Sequence, residues 1–177
     1  MTHRTTSLSF IAGAVLALAA GGAGAAGLSH KDSAFLRDAA EAGNAEVEAS
    51  QLAQTKSTNA DVKSFAQTMI DGHDKAGEEL KGLAGQKGVK VSDKPSIAQT
   101  TEIKLLSARK GSSFDQHYAE SVGVKDHEDT VKLFQKEAEQ GDDADVKAWA
   151  AKTLPTLQHH LEMGQALKAK TDAEPKQ

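Results

Sequence analysis

From Asp32 to Lys168 the chain repeats its apolar residues at steps of three and four almost without interruption, and its only prolines stand at 95, 155 and 175. No stretch sustains the period-two alternation of a half-buried strand. The periodicity predicts an all-α fold. What remains to be read is how the helices turn back on one another.

A first helix is expected over about Asp32 to Lys56, and Thr58 followed by Asp61 reads as the capped start of a second that ends near Lys87. A link of two or three residues forces these two into an antiparallel hairpin. Gly88 to Ser96 reads as extended, and Ile97 to Lys110 as a short amphipathic helix stopped by Gly111. Ser112 with Asp115 then caps a third long helix to about Gln140. Gly141 breaks the chain again, and Asp142 with Asp145 caps a fourth helix to about Lys168. Residues 169–177 are expected to form a disordered tail.

The run Asn59-Ala60-Asp61-Val62-Lys63-Ser64-Phe65-Ala66 parallels Asp143-Ala144-Asp145-Val146-Lys147-Ala148-Trp149-Ala150, so the second hairpin repeats the first. Residues 88–110 supply roughly 30 Å of extended chain and roughly 20 Å of helix, enough to travel the length of a bundle. Two similar hairpins joined by a long crossover containing a short helix make a ferritin-like four-helix bundle over residues 32–168.

Residues 1–26 read as an address. His3 and Arg4 precede an apolar run from Leu8 to Ala20, and Ala23-Gly24-Ala25 offers the small residues of a signal-peptide cleavage site. Cleavage is expected after Ala25 or Ala26. With no cysteine to accept a lipid, the mature protein is expected to be periplasmic or secreted, without a membrane anchor. Gly22-Ala23-Gly24-Ala25-Ala26-Gly27 matches a dinucleotide fingerprint by letter alone, since no strand precedes it.

Composition narrows the chemistry further. A net charge of -4 and 4% aromatic residues leave neither a basic footprint nor stacking platforms for nucleic acid. The absence of cysteine removes thiolate metal sites, iron–sulfur clusters and cysteine catalysis. There is no Gly-x-Ser-x-Gly elbow, no Walker loop and no His-Glu-x-x-His, so no catalytic residues are assigned. Haem ligation through Met69 or Met163 has no support in the spacing.

The core stripes carry the one candidate site. They run Phe35, Ala39, Ala42, Glu46, Ala49, Ala53 on the first helix and Val62, Ala66, Met69, His73, Ala76, Leu80, Leu83 on the second. The third gives Val124, His127, Val131, Phe134, Ala138, and the fourth gives Val146, Ala150, Thr153, Leu157, His160, Gly164, Leu167. Each stripe is interrupted once by an ionisable residue. At about 1.5 Å per residue, Glu46 and His73 stand roughly 17 and 23 Å from the first hairpin turn, and His127 and His160 roughly 22 and 28 Å from the second. All four fall near mid-bundle.

Three imidazoles and one carboxylate suit a single divalent ion such as zinc, copper, nickel or ferrous iron. A di-iron carboxylate centre needs Glu-x-x-His twice, and Ile70, Val124 and Leu157 stand three before the histidines instead. The alternative is a structural cluster in which Glu46 pairs with an imidazolium and fixes helix register, in a non-catalytic envelope scaffold or interaction bundle. His30 and His117 are expected at the surface, and His159, pointing about 100° away from the His160 direction, is the weaker candidate. Gly43 and Gly72, beside Glu46 and His73, read either as close backbone approaches at the site or as small-residue packing. Pro155 removes a helix hydrogen bond just before His160.

Ala45-Glu46-Val47, the Met69-Ile70-x-x-His73 run, Phe114-Asp115-x-x-Tyr118, His127 and Leu154-Pro155-Thr156-Leu157-x-x-His160-Leu161 together resemble the bacterial domain of unknown function 4142 family over about residues 32–168. The resemblance implies an exported, ferritin-like bundle of uncharacterised role, and it marks His73, His127 and His160 as motif positions. Gly72 departs from it, since the family usually carries an acid there. Storage, buffering or stress protection are the roles expected of a metal-binding bundle in that compartment.

Overall fold

The computed structural model describes residues 27–174, and within them the chain is helical with no strand. The elements are α1 (His30–Lys56), α2 (Ala60–Gln86), α3 (Ile97–Ser107), α4 (Gly111–Tyr118), a π-helical segment (Ala119–Asp126), α5 (His127–Gln140) and α6 (Ala144–Ala173). The signal-peptide and fingerprint readings concern residues 1–27, of which all but Gly27 lie outside the described residues.

α4, the π segment and α5 follow one another without a break and act as one long rod. α1 packs along α2, and this rod packs along α6, which gives two antiparallel hairpins. The hairpins meet through α2 with α6 and α1 with α5, while α3 lies across α1 in the crossover. Asn44 Nδ2 donates to Ser92 O at 2.9 Å and Lys56 Nζ to Ser107 O at 2.5 Å, so the crossover is tied to α1 along its course.

The sequence repeat is a repeat of helix starts. Asn59 Oδ1 accepts from the amides of Asp61 and Val62 at 2.8 and 3.3 Å, and Asp143 Oδ1 accepts from Asp145 and Val146 at 3.0 and 3.1 Å. Both caps stand one residue later than Thr58 and Asp142, because the Asn and Asp side chains each satisfy two of the free amides of a first turn. Ser96 and Gln99 form a reciprocal capping box on α3. The third rod differs from expectation: it begins at Gly111 behind Lys110 with no side-chain cap bond. Gly111 takes φ +53°, a left-handed turn that glycine enters without penalty, so it opens this rod as well as ending the crossover.

The last helix also runs past Lys168 to Ala173, which corrects the expected tail at residues 169–173. Thr171 is fully buried, and Gln116 Nε2 donates to its carbonyl at 3.1 Å. Lys170 pairs with Asp61 at 2.8 Å, tying the end of α6 to the start of α2. Residues 175–177 lie outside the described residues.

The apolar interior falls into two clusters. One gathers Phe35, Leu36, Leu80, Phe134, Trp149 and Leu157, with Phe35, Phe134 and Trp149 in mutual edge or tilted ring contact at 5.0 to 5.9 Å. The other gathers Ala53, Val62, Phe65, Met69, Tyr118 and Leu167. Along every long rod the predicted ionisable residue falls between the two. The rods come closest at Gly123 and Gly164, where a Cβ on Gly164 would sit 1.8 Å from Gly123 O, so only glycine fits at that crossing.

Candidate metal centre

The π segment sets the register of His127. The stepping of three and four puts Val124 one turn ahead of it, yet Val122 and Gly123 are the buried residues and Val124 is half-buried. The interior face thus advances five residues from Val122 to His127, the step of a π turn. That step leaves Val122 O beside the imidazole, and His127 Nδ1 donates to it at 2.8 Å. A carbonyl only accepts, so Nδ1 carries the proton and Nε2 keeps its lone pair.

His127 is fully buried, and His73 and His160 are 7% and 5% exposed. Their ring centroids stand 5.6 Å (His73 to His127), 5.3 Å (His73 to His160) and 5.7 Å (His127 to His160) apart. Each ring offers one ligand atom, and the three atoms lie within 4.8 Å of one another. Three nitrogens bound to one ion at 2.0–2.1 Å stand about 3.3 Å apart, so small side-chain rotations close the remaining distance. His73 Nε2, His127 Nε2 and His160 Nδ1 are buried without a hydrogen-bond partner among the described residues.

Glu46 is set back from this trio. Its Oε1 lies 3.4 Å from His127 Nδ1, the edge of the ring opposite Nε2, and neither carboxylate oxygen has a hydrogen-bond partner. Of the four expected donors, three converge and the fourth stands behind one of them. His30, His117 and His159 are exposed, as their positions off the stripes predict.

Burial governs the charges. It pushes His73 well below the ordinary imidazole range, with His127 and His160 adding to the effect. His160 is lowered to about 4 by burial and then by His127 and His159, and burial lowers His127 against the opposing bond to Val122. Burial, then Asp126, raises Glu46 well above the carboxylate range. The core therefore presents neutral imidazoles with free lone pairs, the form that ligates metal. An imidazolium paired with Glu46 is disfavoured from both sides.

Gly72 has a use at this site, for a Cβ there would lie 2.7 Å from His160 Cε1 and 3.1 Å from His160 Nε2. Gly43 has no such neighbour within 4 Å. It instead helps to line a cavity of about 370 Å³ whose wall also includes Ala76, Phe134, Trp149, Leu157 and His73. The cavity brings solvent-sized space to one imidazole. Sequence reasoning missed it, because a void leaves no residue pattern of its own.

A four-rod antiparallel bundle with a layer of three buried imidazoles at half its height is the class of protein that fold and site define together. The chain belongs to the DUF4142 family, a domain of unknown function, whose profile matches residues 17–167. Its fold is similar to that of a DUF305 fragment from Deinococcus radiodurans, with a TM-score of 0.71 at 10% identity over 81% of this chain and 98% of that one. It is also similar to a DUF305 protein from Streptomyces coelicolor, described by name as a candidate secreted protein, with a TM-score of 0.67 at 16% identity over 83% and 97% of the two chains. No curated protein matches it in sequence. No helix among the described residues is long and apolar enough to cross a membrane.

Proposed function

We propose that this protein binds one divalent transition-metal ion in its core through His73, His127 and His160, in a storage, buffering or protective role outside the cytoplasm. The observation that carries the reading is the convergence of three buried imidazoles, each offering one ligand nitrogen within 4.8 Å of the others, and each ring also has a buried nitrogen without a partner among the described residues. Leaving such groups without partners costs about 1–3 kcal/mol each, which a bound ion would offset. A set of neutral nitrogens suits zinc, copper, nickel or ferrous iron better than calcium or magnesium. Glu46 serves behind His127, where a carboxylate and the Val122 carbonyl together hold the ring's far edge.

Three protein ligands would leave a further coordination position, and a cavity of about 370 Å³ is lined in part by His73. No reaction is assigned. Elemental analysis of tag-free protein is expected to find one metal per chain, and none after His73→Ala. Metal-free protein in both preparations would favour the scaffold reading. The export reading of residues 1–26 is checked by N-terminal sequencing of the mature protein, which is expected to begin at Ala26 or Gly27.

A further inference from the structure

A second cavity, of about 300 Å³, opens between α1, α3 and the π–α5 junction. Of the nine described residues that line it, four are acids, Glu46, Glu102, Asp126 and Asp129, and none of the nine is basic. The lysines near it face other partners or its rim: Lys125 pairs with Glu120 at 3.4 Å, and Lys132 reaches Asp129 at 3.0 Å on the exposed side. Glu46, 3% exposed, contributes an inner wall whose two carboxylate oxygens have no hydrogen-bond partner. A buried carboxyl without a partner faces three more acids there, and none of the nine described lining residues answers it with a positive charge.

We propose that this cavity is a second cation site, distinct from the imidazole centre, which takes a hydrated hard divalent cation of the Mg²⁺ or Mn²⁺ type. Its donors would be the oxygens of the four carboxylates with Thr130 beside them, and such donors suit hard ions better than the borderline ones that imidazoles prefer. The acids do not converge to chelating distance as the imidazoles do, so the ion keeps much of its water. Six waters at about 30 Å³ each occupy roughly 180 Å³, which this cavity holds. Glu46 then faces two chemistries, standing 3.4 Å from a His127 nitrogen while lining an oxygen-donor chamber.

The inference goes beyond the imidazole reading, and its test separates the two. Full-length mature protein is first loaded with zinc and then titrated with Mn²⁺ at low ionic strength, with free Mn²⁺ followed by electron paramagnetic resonance. The expected result is one Mn²⁺ bound per chain beyond the zinc already held, displaced by excess Mg²⁺. The Glu102→Gln, Asp129→Asn double variant, changed only at exposed positions, is expected to bind Mn²⁺ at least tenfold more weakly while its zinc content stays the same. Glu46→Gln is expected to abolish Mn²⁺ binding. Failure to bind Mn²⁺, or equal binding by the double variant, would overturn the proposal. Should the protein hold no zinc, the imidazole reading fails alone, and the Mn²⁺ titration is read on His73→Ala protein instead.

Discussion

Asp32 and Glu46 lie on the same helix, both almost fully buried, and are held in opposite ways. The two oxygens of Asp32 accept the amides of Asp142 and Asp143 at 3.1 and 2.9 Å, pinning the start of α1 to the turn between α5 and α6. Those of Glu46 accept no hydrogen bond, and the imidazole nitrogens grouped beyond it are equally unpartnered. Burial of a polar group is thus no sign of function by itself. Asp32 finds its partners within the fold, whereas Glu46 and the three histidines, like Asp115 Oδ1, Glu137 Oε1 and Trp149 Nε1, leave buried polar atoms without one among the described residues.

That contrast fails most visibly if metal does nothing to stability. Zinc at a thousand times its dissociation constant is expected to stabilise the native chain by about 4 kcal/mol, a rise of roughly 10 °C in melting temperature by calorimetry, absent in His73→Ala. A cluster of the Asp32 kind would leave the melting curve unmoved. The converse substitution, Asp32→Ala, strands two backbone amides and is expected to cost about 2–3 kcal/mol in urea unfolding with zinc stoichiometry unchanged. Loss of zinc in that variant would mean that the two groups are not separable.

Smaller effects sharpen the same division. In Gly72→Ala the new methyl displaces His160, and titration calorimetry is expected to show zinc affinity reduced about tenfold, equivalent to about 1.4 kcal/mol. The metal-free stability changes little, because the gain of about 1 kcal/mol in helix propensity opposes the displacement. The smallest expected effect concerns Glu137, beside Asp32, whose carboxyl is raised to about 7, first by burial and then by the Asp32 charge. The folded chain holds this proton more tightly than the unfolded one. Its contribution is therefore complete below about pH 4.5 and lost as pH rises through 7. Wild type is expected to lose more melting temperature between pH 5 and pH 8 than Glu137→Gln does, and parallel curves would remove Glu137 from the account.

Much of this was legible in the residues because helices advertise themselves. An interrupted stripe shows both its face and its height, so the mid-bundle level of His73, His127 and His160 followed from spacing alone, and the paired runs at 59–66 and 143–150 announced two like hairpins. The π turn was not legible. Its additional residue leaves composition untouched, and stepping by three and four passes through Val124 as smoothly as the backbone passes through Val122. Gly123 was the available clue, since a rod that meets Gly164 backbone to backbone has reason to bear glycine there. The setback of Glu46 lay beyond spacing, for a stripe says which face a side chain leaves from and not how far it reaches. Asn59 and Asp143 were misplaced by one residue because Thr58 and Asp142 beside them are cap-formers too.

The imidazole layer divides the oily interior into an upper and a lower half, each furnished by all four long rods. Each half rests on its own apolar contacts along the same four rods, so without an ion the two are expected to open as separate units. Amide exchange would then report two cooperative units. The cation proposed above, held by His73, His127 and His160, would join α2, α5 and α6 across that seam, and its arrival would change how the molecule comes apart more than it changes the molecule's shape.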